Sequence, residues 1–213
     1  MRFRISMFLL CACALFSQVP KNRPLLPNEQ WVSLFDGKTL DGWDPVGKEK
    51  WEVNKDGEIH GQAVTQEYGY LQTKKKYKDF HLSLRFKCVG DGNSGVFFHT
   101  AFKGNTADVS QGLQFEIDPT LNHHTGGIYG DGRQWIVWPS PENEYVIHVN
   151  DWNDYMLKVE GNHYVARLNG VTVIDFTDPT PKSTDGTIAL QLHAGGHGDM
   201  LFKEIYVRDL SVR

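Results

Sequence analysis

An all-β fold, a sandwich or jelly roll of two antiparallel sheets, is what this sequence predicts, and three observations carry the prediction. Apolar and polar residues alternate in several short runs, turn signals rich in Gly and Asn separate those runs, and no stretch of convincing helical period follows residue 30. Short strands without intervening helices must bury their apolar faces against a second sheet. The length of 213 residues suits one such domain. About 70% of the unfolded chain's surface can be buried at this size, so folding requires neither metal nor disulfide.

In chain order, "MRFRISMFLLCACALFSQVP" comes first, with a basic start (Arg2, Arg4), an apolar run from Ile5 to Phe16 and small residues near Ser17. This is the pattern of an export signal over residues 1–17, shorter than the ~20 apolar residues a membrane-spanning helix needs. A second reading of "LCAC" makes Cys13 an acylated lipoprotein cysteine. Cleavage removes two arginines, taking the formal charge from −4 to −6, and leaves Cys88 as a lone thiol that cannot form an internal bridge. The expected location is therefore periplasmic or extracellular. Residues 18–30 read as a polar, Pro-containing linker, and 31–213 as the domain.

Within the domain, "HLSLRFK" (81–87) puts Leu82, Leu84 and Phe86 on one face and His81, Ser83, Arg85 and Lys87 on the other. "SGVFFHT" (94–100) is a second strand. "GLQFEID" (112–118) sets Leu113, Phe115 and Ile117 against Gln114, Glu116 and Asp118. "YMLKVEG", "HYVARLNGVTVIDF" and "LFKEIYVRDLSV" are further strands, and "IALQLHAGG" sets Ile188, Leu190 and Leu192 against Ala189, Gln191 and His193. "GDGNSG", "EGNH", "LNGV" and "AGGHGD" are the turns between them. "QWIVWP" and "SPENEY" read as a long aromatic-bearing loop over one end of a groove.

The composition, 40% hydrophobic with 23% charged and 12% aromatic residues, is that of a globular protein, and the mild negative charge gives no footprint for nucleic acid. The polar faces are the informative part. If the strands carrying Arg85, Gln114, Glu116, Asp118, Gln191 and His193 are neighbours in one curved sheet, they line a groove for a polyhydroxylated ligand; the plain structural alternative is a solvated strand face.

"EID" opens the E-x-D-x-x-E pattern of retaining β-glucanases, which requires a second Glu where this chain has Leu121. Retaining hydrolysis uses two carboxyls ~5–5.5 Å apart, so that mechanism is disfavoured. Glu116, Asp118, His123 or His124, and His193 are the mixed donor set that Zn, Mn, Co or Fe accept, although their spacing matches no known metal signature. The alternative makes "HH" a polar turn and His193 a hydrogen-bonded sheet residue. His99 is either structural or substrate-facing, and Tyr129, in a glycine-rich loop, either meets a ligand or anchors the loop.

"LFDGKTLDGW" (34–43), "GNSGVFFH" (92–99), "GLQFEID", "HTGGIYGDG" and the terminal "GTIALQLHAGG…LFKEIYVRDLSV" resemble, in order and over about Trp31 to Val212, the 3-keto-disaccharide hydrolase domain family. The resemblance implies a concanavalin A-like jelly roll and an exported bacterial protein. It also implies a substrate sugar whose C3 hydroxyl a partner sugar 3-dehydrogenase has oxidised to a ketone. Cleavage then proceeds by hydrolysis, or by elimination and hydration, in some members with a divalent metal. Carried over, Glu116, His124, Tyr129, Gln191 and His193 match the family's motifs. With the strand-face and donor readings above, Glu116, His124 and Tyr129 are the catalytic candidates, Arg85, His99, Gln114 and Gln191 the substrate-positioning ones, and Glu116, Asp118, His123 and His193 the metal candidates. His99 stands where the family often has Arg, and "DPT" where it often has Asp then Asn. A jelly-roll lectin without chemistry is the alternative.

Overall fold

The computed structural model describes residues 30–102, 112–120, 122 and 124–211. Among these described residues, fifteen strands form two antiparallel sheets. In chain order they are β1 (Val32–Ser33), β2 (Trp43–Val46), β3 (Lys50–Val53), β4 (Ile59–Gln62), β5 (Gly69–Thr73), β6 (Phe80–Cys88), β7 (Ser94–Thr100) and β8 (Leu113–Ile117). Then come β9 (Ile128–Gly130), β10 (Trp135–Val137), β11 (Asn153–Glu160), β12 (His163–Leu168), β13 (Val171–Thr177), β14 (Thr187–Leu192) and β15 (Asp199–Asp209). A 3-10 helix, Pro141–Val146, follows β10.

One sheet has seven strands in the order β10-β9-β8-β7-β14-β5-β2; the other runs β13-β12-β11-β6-β15-β4-β3, with β1 added beside β15. The alternation read from the sequence sets the inner faces. Leu82, Leu84, Phe86, Leu113, Phe115, Ile117, Ile188, Leu190 and Leu192 all lie in one core between the sheets. "HYVARLNGVTVIDF" is a hairpin whose turn, Asn169-Gly170, has φ of 51° and 86°. That is the two-residue turn whose twist matches the flanking strands.

Two expectations about the outer faces are corrected. β6 belongs to the eight-stranded sheet, between β11 and β15, whereas β8 and β14 belong to the seven-stranded one. Arg85 therefore points away from the groove: its Nε lies 3.0 Å from Asp154 Oδ1 and its guanidinium 5.5 Å from the Trp152 ring. The outer face of the seven-stranded sheet is also not a solvated one. Val46, Tyr70, Phe97, Phe102 and Ala189 make a second apolar cluster there, with Phe102 stacked 4.0 Å from Tyr70. Beside it Gln114, Glu116 and Gln191 are 2%, 5% and 0% exposed.

Candidate functional site

The site is assembled by strand register. Gln114 on β8 stands opposite Tyr129 on β9, which stands opposite Trp135 on β10. One step along, Glu116 stands opposite Gly95 on β7, and Gln191 on β14 opposite Tyr70 on β5. Cross-strand partners point to the same side of a sheet, so these side chains converge on the outer face. Gly95 is required: a Cβ there would sit 2.6 Å from Gln114 Cγ and Nε2, whose side chain lies across it.

Glu116 is the centre of this floor. Asn93 Nδ2 donates to its Oε1 and Gln114 Nε2 donates to its Oε2 at 2.7 Å. Gln114 Nε2 also lies 3.3 Å from Gln191 Oε1, and Gln191 Nε2 lies 3.4 Å from the Tyr70 hydroxyl. Burial pushes the Glu116 carboxyl up to about 8; the Asn93 amide opposes the rise, the charge of Asp118 adds to it, and the Gln114 amide opposes it. The floor thus holds one carboxyl that titrates near neutrality in a frame of amides.

Above the floor is a cavity of about 400 Å³, lined by Tyr68, Asp91, Gly92, Asn93, Gln114, Glu116, Tyr129, Trp135, His193, Ala194 and His197. The volume falls within the ~300–1,000 Å³ of small-molecule sites. His193 Nδ1 is 2.9 Å from the Ala194 carbonyl. A carbonyl only accepts, so Nδ1 carries the proton, and in the neutral ring Nε2 is the acceptor for the Tyr68 hydroxyl 3.3 Å away. Burial raises the Tyr68 phenol pKa, and facing Tyr129 and Glu116 adds to the rise. Hydroxyl, imidazole and carboxyl therefore share one chamber.

Of the residues singled out in the sequence, Glu116, Gln114, Tyr129 and His193 line this cavity, and Gln191 lies beneath it. The others lie elsewhere. His99, at φ 52° beside a register shift between β7 and β14, turns toward Phe98 and Phe80 on the core side. Its Nε2 is 2.8 Å from the Lys78 carbonyl, and burial lowers its pKa against the pull of the Lys78 and Ser183 carbonyls. That makes it a structural histidine. Asp118 follows the last residue of β8, so strand alternation no longer aims it, and its Oδ1 accepts from Thr120 N and Oγ1. His124 stacks on Trp138 at 4.3 Å, with Nδ1 2.8 Å from Glu144 Oε1 and Trp135 edge-on at 5.4 Å, and does not line the cavity. His123 lies outside the described residues. Sequence reasoning missed Tyr68, Asn93 and Trp135. Asn93 was within the quoted "GNSGVFFH" and Trp135 within "QWIVWP", read as a loop over the groove where the structure has strand β10, whereas Tyr68 precedes a strand too short to show a period.

No group of three or more His, Cys, Asp or Glu side chains able to hold a metal ion occurs among the described residues. Of the expected donors among the described residues, Glu116 and His193 share the chamber, and each is already hydrogen-bonded. The described residues do not fit the expected metal site, and no step below runs through a metal. No helix among the described residues is long and apolar enough to cross a membrane.

The fold is shared with solved structures. A candidate glycosyl hydrolase of Parabacteroides distasonis aligns with a TM-score of 0.66 and 20% identity, over 84% of this chain and 94% of that one. A carbohydrate-binding module of Bacillus subtilis aligns at 0.60 and 18%, over 79% and 96%. A 3-keto-disaccharide hydrolase of Bacteroides thetaiotaomicron is 34% identical over 77 residues, which span 32% of this chain and only 27% of that protein. The model of the 3-keto-alpha-glucoside-1,2-lyase-like domain matches residues 30–211, the full span of the described residues, and the chain belongs to that family.

Proposed function

We propose that the chain cleaves the glycosidic bond of 3-keto-glycosides, with Glu116 as the base that takes the proton from C2. The observation that supports this most is the buried Glu116 carboxyl, raised to about 8, on the floor of the cavity. A base is most effective when its pKa lies near the working pH, and correct placement contributes ~10²–10⁴ in rate. The 3-oxo group makes the C2 hydrogen acidic. As Glu116 takes it as a proton, the C–H electron pair forms the C2–C3 double bond and the carbonyl pair moves onto O3. When the carbonyl re-forms, the C1–O bond breaks, its electrons leave on the aglycone oxygen, and that oxygen gains a proton. The cavity hydroxyls of Tyr68 and Tyr129 are the available donors to O3 and to the leaving oxygen. His193 Nε2, 3.3 Å from the Tyr68 hydroxyl, holds that side chain in the cavity. Water adding across the resulting C1–C2 double bond gives the free 3-keto sugar. Loss of C2 deuterium from a labelled 3-keto-glucoside during turnover tests this, and retention of the label at early times excludes it.

The substrate requires an oxidoreductase that converts the C3 hydroxyl to a ketone first, which is the functional partner this reading assigns. Residues 1–17 carry the pattern of an export signal, which in this reading puts the reaction outside the cytoplasm. A sugar-binding module is the second reading, because the amides of Gln114, Gln191 and Asn93 and the rings of Tyr129 and Trp135 serve recognition without chemistry. Binding of 3-keto-glucosides without any turnover decides for it.

A further inference from the structure

Beyond the cavity, we infer that Trp138 is a stacking shelf for the group attached to the bound sugar, taking a flat ring face: a second pyranose or an aryl group. The inference rests on the cavity being a sugar site. Trp138 is 54% exposed although it is a large apolar side chain. Its ring is not loose. His124 lies parallel to it at 4.3 Å and 16°, covering one face, and His124 is itself fixed by Glu144 Oε1 2.8 Å from its Nδ1. With one face covered and more than half of the side chain still exposed, the opposite face is the open one.

The shelf is continuous with the cavity. Tyr129 lines the cavity and meets Trp135 edge-on at 5.3 Å; Trp135 lines it too and meets Trp138 edge-on at 6.1 Å. The aromatic path therefore leads from the Glu116 chamber to an open indole face one ring outside it. A ring held rigid before binding loses little entropy when a ligand stacks on it, which is where preorganised aromatics are most useful. In this arrangement His124 positions the shelf and has no contact with reacting atoms.

The test is a titration in a Glu116→Gln background, where cleavage is suppressed, with methyl 3-keto-glucoside, phenyl 3-keto-glucoside and a 3-keto-disaccharide. Trp138→Ala weakens binding of the phenyl and disaccharide ligands by about tenfold and leaves the methyl ligand within about twofold; Trp138→Phe gives a smaller loss. An aryl-only effect identifies an aryl shelf, and a disaccharide-only effect a sugar shelf. Equal losses for all three ligands, no loss for any, or no binding by any ligand overturns the inference. Turnover of the methyl compound by the unmodified chain is read separately. Absent turnover with intact Trp138-dependent binding would sink the cleavage reading and leave the shelf standing.

Discussion

At the scale of single residues, Glu116 couples rate and stability to the same proton. Acting as a base, it works only when ionised, so kcat/KM should climb about tenfold per pH unit below about 8 and level off above it. Glu116→Gln should fold and lose at least ~10² in rate; a flat profile between pH 6 and 9 in the parent would remove Glu116 from the proton transfer. The stability effect has the opposite pH sense. Between the ordinary carboxyl value of 4.5 and about 8, the folded chain keeps a proton on Glu116 that the unfolded chain has released. The contribution is whole below pH 4.5 and is lost as pH rises through about 8. Calorimetry should therefore show Tm of the parent falling more steeply from pH 5 to 9 than Tm of Glu116→Gln, and parallel curves would contradict the burial argument.

The β7–β8 pair shows what one element contributes to the site. Gly95→Ala would place a methyl against Gln114 and push that amide off Glu116. The variant should remain folded by circular dichroism while kcat falls, by up to ~10² if the carboxyl shifts by about an ångström; unchanged kcat would mean that Gln114 does not hold the base in place. At this scale the limits of sequence reading are plain. Period-two alternation told which side of each strand faces the core, and so put Gln114 and Glu116 on one face and Leu113 and Phe115 on the other. It carries no information on which strands are neighbours, and for that reason Arg85 fell on the wrong sheet. Nor does it survive a register shift, as at His99, or the end of a strand, as at Asp118. Tyr68 enters the site beside a five-residue strand and Trp135 on a three-residue one, too short to show a period; only the aromatic content of "QWIVWP" pointed to the groove, and it was read as a loop.

For the whole molecule, the two sheets share one core, and its cost of disruption should be ordinary. Leu84→Ala, at a fully buried position of β6, is expected to lose ~2–5 kcal/mol in chemical denaturation. The export reading predicts a mature chain starting near residue 18. Mass spectrometry of the exported form should lack Cys11 and Cys13; a lipid on Cys13 would favour the lipoprotein, and an uncleaved cytoplasmic chain would refute both. The second apolar cluster, on the outer side of the seven-stranded sheet, has a further effect. β7 and β14 lie three strands in from β10 and two in from β2 respectively, and carry packed side chains above and below. Their amide hydrogens can reach solvent only if both layers part, so deuterium uptake there should follow the opening of the entire sandwich. Saturating the cavity with ligand should slow uptake chiefly in β9 and β10 at the sheet edge, while the floor strands, already closed to exchange, record only the gain in global stability.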